Sequence, residues 1–125
     1  MKYMLLIYHD EQSWSAITEA ERQQVYTDFR KLREELLARG QFVTGSQLQP
    51  ISTATSVRVR DGKELVTDGP FAETHEQLGG YFLIEAESFE SALEWAAKVP
   101  NARNGSVEVR QVDQGDLARR MAAQA

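Results

Sequence analysis

The sequence predicts an α+β fold with the split-βαβ, ferredoxin-like order and an inserted β-hairpin. Three observations carry that expectation. Residues 3–8 (YMLLIY) and 81–86 (YFLIEA) are apolar at nearly every position, as strands covered on both faces are. Each is followed by a stretch with helical periodicity. An Asp61-Gly62 pair separates two alternating segments mid-chain, which is the strongest short-range signal of a two-residue hairpin.

Residues 3–8 form the first strand, and residues 9–17 read as a polar, turn-like connection. Thr18 and Glu21 make a T-x-x-E capping box. Val25, Phe29, Leu32 and Leu36 then recur at helical spacing with charges opposite them, so an amphipathic helix runs on to a stop at Gly40. Residues 41–48 form a second strand, ended by Pro50. Residues 55–60 and 63–67 pair through the Asp61-Gly62 turn. Residues 68–80 (DGPFAETHEQLGG) read as a loop, with Gly79-Gly80 allowing a sharp entry or bulge into the next strand. After strand 81–86, Ser88 caps a helix in which Phe89, Leu93, Ala96 and Ala97 share a face, and Pro100 ends it. Residues 106–112 form the last strand, with Val107 and Val109 on one side. A short tail helix is expected around Leu117 and Met121.

With the hairpin set aside, the order is β-α-β followed by β-α-β. Helices on one sheet face leave the other needing cover. The two doubly apolar strands make that second face apolar too. A second copy of the chain is the simplest cover, which predicts a symmetric homodimer. The alternative is a monomer in which the hairpin and the tail fold over that face.

The chain has 125 residues, 42% hydrophobic and 26% charged, the size and balance of one globular domain over residues 1–125. Its 14 Lys and Arg against 19 Asp and Glu leave a net charge of -5. That gives no basic footprint for nucleic acid and no attraction to anionic lipid. With no cysteine, the chain has no disulfide, thiolate nucleophile or cysteine-ligated metal. In MKYMLLIYHDE the apolar run meets His9, Asp10 and Glu11 too early for a signal peptide. No stretch approaches the roughly 18 apolar residues of a membrane helix. The expectation is a soluble, cytoplasmic protein with no membrane or nucleic-acid partner and no cofactor.

DGPFAETHEQLGGYFLIEA, residues 68–86, resembles the signature of the DGPF-type branch of YCII-related proteins, as do MKYMLLIYHDE and ESFESALEWAAKVP. The resemblance spans nearly the whole chain. It implies a dimeric α+β barrel, and a link to extracytoplasmic-function sigma factors with no assigned reaction. Enzyme-like members of the family use a His on the first helix and an Asp just before a Pro at the end of the second. Counted onto this sequence, those places fall on Phe29 and Val99. Neither side chain transfers a proton, so the imidazole–carboxylate pair is missing.

The remaining chemistry sits in two short segments. Asp68, His75 and Glu76 in the signature loop are the candidate catalytic residues. His9, Phe71 and Tyr81 are the candidate binding residues. His9 with Asp10 and Glu11 at the end of the first strand faces the loop if both strands are central. Histidine titrates near neutrality and suits acid–base work. Each residue also has a plain structural reading. Asp68 before Gly69-Pro70 is a natural turn former. His75 suits a solvated polar position, and Glu76 suits a turn cap or an ion pair. His9 suits a surface strand end, and Phe71, Tyr81 and Trp95 suit a core. No metal site is expected, because His9, Asp10 and Glu11 are sequential and a strand sends neighbours to opposite faces. Two functional readings follow. One is a small-molecule binder or enzyme with its site at the DGPF loop. The other is a non-catalytic accessory protein of a sigma-factor pathway.

Overall fold

A computed structural model describes residues 1–124 as a mixed α+β structure with four helices and two antiparallel sheets. The strands are β1 (Lys2–His9), β2 (Phe42–Gln47), β3 (Thr55–Arg60), β4 (Lys63–Asp68), β5 (Gln77–Glu85) and β6 (Ser106–Gln111). The helices are α1 (Glu11–Ala16), α2 (Glu19–Ala38), α3 (Phe89–Ala97) and α4 (Asp116–Ala123). β2, β5, β1 and β6 form the larger sheet in that order, and β3 pairs only with β4.

β1 and β5 take the central places because their apolar residues satisfy both neighbours and both faces. Tyr3, Leu5 and Ile7 of β1 alternate with Phe82 and Ile84 of β5 on one buried face. Leu32 and Leu36 of α2 join that face, as do Ala92, Trp95 and Ala96 of α3. Burying each large side chain in this cluster stabilises the fold by about 1.5–3 kcal/mol. α2 starts at the expected capping box. The Thr18 hydroxyl accepts from the Glu21 N–H at 3.1 Å, and the Glu21 carboxylate accepts from the Thr18 N–H at 3.3 Å. Ser88 caps α3 by accepting from the Ser91 N–H at 3.1 Å. The hairpin turn also forms as expected, with φ of 54° at Asp61 and 74° at Gly62, both in the left-handed region a type I′ turn requires.

Three expectations are corrected. Residues 9–17 are not a simple turn, because α1 occupies Glu11–Ala16. It is too short to show an apolar stripe, and its signal was the cap. The Asp10 carboxylate accepts from the Gln12 N–H and the Ser13 hydroxyl, each at 3.0 Å. The loop is also shorter than residues 68–80, since Asp68 closes β4 and β5 begins at Gln77. On α3, the buried stripe is Ala92, Trp95 and Ala96, while Phe89 and Leu93 stay exposed. The indole needs the deepest position, and α3 rotates to give it one.

The other face of the large sheet is open. Met4, Leu6, Tyr8, Tyr81 and Leu83 are half-buried there. Neither hairpin nor tail closes it. Val57, Val59 and Val66 of the hairpin and Leu117 and Met121 of α4 are each more than half exposed. Leu36→Ala should therefore cost about 2–5 kcal/mol in urea denaturation. Leu117→Ala on the exposed tail helix should stay within about 0.5 kcal/mol of the parent.

Candidate functional site

A cleft of about 360 Å³ lies between α2 and the β2–β5 edge of the large sheet. That is the small end of the range for small-molecule sites, about 300–1,000 Å³. Val25, Tyr26, Phe29, Arg30 and Arg33 form its helix wall. Phe42, Gly45, Gly80 and Phe82 form its sheet wall, and Ile7, His9, Trp14 and Asn101 close one end.

Two glycines, Gly45 and Gly79, let aromatic rings pack tightly against the sheet wall of the cleft. Gly79 is the extra residue of a β-bulge, since Ile7 pairs with Gly80 and Tyr8 pairs with Leu78. The expected bulge at the Gly79-Gly80 pair is therefore present. A Cβ on Gly79 would meet the His9 ring at 2.8 Å. A Cβ on Gly45 would meet the Phe82 ring at 2.5 Å. The aromatic side chains then fit edge to face. Phe82 makes T-shaped contacts with Phe29 at 6.1 Å and with Phe42 at 5.6 Å between centroids. At the far end, His9 stacks on Trp14 at 6.2 Å, and Trp14 meets Tyr26 edge-on at 5.7 Å.

α1 holds Trp14 over that end through two ties. The Glu11 N–H donates to the Gln77 side-chain carbonyl at 3.0 Å. The Glu11 carboxylate accepts from the Ile51 N–H at 3.1 and 3.3 Å. The Gln77 amide also donates to the carbonyls of Thr74 and His75 at 2.7 and 3.2 Å. Gln77 thus pins the signature loop to the start of α1.

The electrostatics of the cleft differ from those of the chain. Arg30, Arg33 and His9 line it, and no carboxylate does. Arg33 lies over the Phe42 ring at 5.1 Å, in cation–π geometry. Arg30 reaches Glu34 only at 3.9 Å, with both side chains 65% exposed, a pairing of little energetic weight. Asn101 is the buried polar residue of the fold, at 8% exposure. It lies in the short 3-10 turn Pro100–Arg103 that follows α3. Its backbone carbonyl accepts from the Gly105 N–H at 2.7 Å. No buried side-chain polar atom is left without a partner among the described residues, and Asn101 lines the cleft.

Of the residues singled out from sequence, His9 and Tyr81 border the cleft. Strand alternation puts the Tyr81 side chain on the open face with Leu6, so its backbone is what borders the cleft. Asp68 ends β4 opposite Thr55, exposed to solvent. Phe71 is 77% exposed, with its carbonyl accepting from Arg58 at 3.1 Å. The Glu76 carboxylate accepts from the Ser106 hydroxyl at 2.7 Å. His75 is exposed, near enough to Asp10 for its charge to act on that carboxyl. The loop and the end of β1 therefore do meet, but Asp68, His75, Glu76 and Phe71 stay outside the cleft. Sequence reasoning did not single out Trp14, Tyr26, Arg30, Arg33, Gly45 or Asn101 as site residues. Phe29 carried the available signal. It is one of the two positions counted from the family resemblance, and it lines the cleft. Val99, at the other counted position, is buried in the core.

Two outcomes test this geometry. The Ser13 hydroxyl bond, with help from the Gln12 N–H and the His75 charge, holds the Asp10 carboxyl below its ordinary value. A depressed carboxyl stabilises the fold above its ordinary pKa, and that contribution disappears as pH falls through the lowered value. Ser13→Ala should move the Asp10 titration upward in a carbon-13 NMR titration of the carboxyl groups. Asn101→Leu should leave the melting temperature unchanged or raise it, because no side-chain hydrogen bond is lost. A drop of several degrees in calorimetry would mean that the amide is structurally engaged.

Comparison with known proteins places the chain. The profile of the YCII-related domain family matches residues 1–114. An uncharacterized protein of Rhizobium meliloti (strain 1021) is 38% identical over 112 residues, spanning 88% of this chain and 90% of that relative. The chain belongs to the YCII-related family.

Proposed function

We propose that the chain is a single DGPF-type domain, of ferredoxin-like fold, that binds a small molecule in the cleft along α2 and works as a homodimer. The cleft itself carries this reading. Aromatic walls and a few convergent polar groups are the ordinary makeup of a ligand site. Two features support the fold and the dimer. The strand order β2-β5-β1-β6, with both helices on one face, is that of a split βαβ pair. The open face is apolar, and the hairpin and tail of the same chain leave it uncovered. A second sheet packed there makes the dimeric barrel that the family resemblance implies.

His9 is the titratable group best placed for acid–base work on a bound molecule, since Phe29 and Val99 supply none. The same two apolar residues favour a second reading, a non-catalytic accessory role in a sigma-factor pathway. Metabolite turnover that disappears in His9→Ala would count against that second reading.

Protein purified from its own host should release a bound organic molecule on denaturation, detected by mass spectrometry. Val25→Trp, which fills the cleft, should carry none. Equal amounts from both proteins would refute the site. In sedimentation, the parent should run at twice the 14.1 kDa of the chain, and Leu6→Arg on the open face should run as a folded monomer.

A further inference from the structure

We infer that the ligand of this cleft is a planar organic anion, an aromatic carboxylate or a close equivalent. The inference rests on the cleft being a ligand site and goes on to name what it selects. Three independent features converge on it.

The first is charge. The protein is acidic overall at -5, yet the basic side chains of the lining are Arg30, Arg33 and His9, and no carboxylate joins them. A cleft of one sign with low-dielectric walls concentrates its field and draws in the opposite charge. The guanidinium groups stand free enough to answer. Arg30 is held only by a long, solvated contact with Glu34, and Arg33 by a ring face that leaves its N–H fork unused. A guanidinium fork matches a carboxylate in two parallel hydrogen bonds.

The second is shape. Gly45 and Gly79 remove side chains where a Cβ would strike Phe82 and His9. What results is a continuous aromatic surface on the cleft, in which Phe82 meets Phe29 and Phe42 edge to face. A flat ring laid on that surface gains aromatic contact that an aliphatic body does not.

The third is Asn101. The residue is 8% exposed and lines the cleft, and since no buried side-chain polar atom is left unpaired among the described residues, its amide keeps access to the cleft, where a ligand atom can bond to it. Its position on the cleft, at the end closed by Ile7 and His9, supplies a hydrogen bond to a second polar atom of the ligand. The arginines therefore select charge, the aromatic surface selects planarity, and Asn101 selects a polar substituent.

The test uses naphthalene-2-carboxylate and its neutral near-isostere naphthalene-2-carboxamide, titrated into the full-length protein by calorimetry. The carboxylate should bind at least about tenfold more tightly than the amide. Raising the salt concentration should narrow that gap. In the Arg30→Gln, Arg33→Gln double variant the preference should vanish while amide affinity holds. Both arginines are exposed, so folding is not at risk. Equal affinity for both probes in the parent would overturn the anion selectivity and leave the cleft standing as a site. Binding that survives unchanged in Val25→Trp would overturn the cleft itself, and with it this inference. Failure of both probes to bind the parent would equally overturn it.

Discussion

β1 and β5 lie side by side at the centre of the four-stranded sheet, and the other elements take their positions from that pairing. Its register sets Tyr3, Leu5 and Ile7 on the same face as Phe82 and Ile84. A slip of one residue would turn that whole apolar set to the other side. Because the face is defined, α2 and α3 have one surface on which to bury Leu32, Leu36 and Trp95. Because the opposite residues are apolar too, the same pairing leaves a second apolar surface that is only half-buried.

The cleft is a consequence of how α2 meets this sheet. The buried residues of α2 are Leu32 and Leu36, in its C-terminal half. Its earlier turns carry Val25, Tyr26 and Phe29, which stay partly exposed above the β2–β5 edge. A 20-residue helix runs about 30 Å, so one helix both closes the core and roofs the cleft. The bulge at Gly79 finishes the arrangement by letting the His9 ring settle against β5. His9 then stacks on Trp14, which α1 holds in place through Glu11. Core packing and the cleft are thus divided along the length of a single element.

The elements were largely legible because they rest on local signals. The Thr18–Glu21 box, the Ser88 cap, the Asp61-Gly62 turn and the alternating strands each announce themselves within a few residues. α1 was hidden because six residues are too few to display a stripe, and the rotation of α3 was hidden because Trp95 competes with Phe89 and Leu93 for the same core. The site was harder to see for a different reason. His9, Phe29, Gly45, Gly79 and Asn101 come from five separate parts of the chain, and only the sheet order brings them together. The conspicuous loop from Asp68 to Glu76 drew attention through its composition. In it Glu76 is bonded to Ser106, and Gln77 clasps the loop to α1.

The central claim is that ligand binds along α2 and not at the signature loop. Backbone NMR shift mapping with a bound aromatic carboxylate tests it most directly. The amides of Phe29, Gly45, Gly79 and Gly80 should move together and saturate with one affinity. Shifts confined to residues 69–76, with those four amides still, would contradict it.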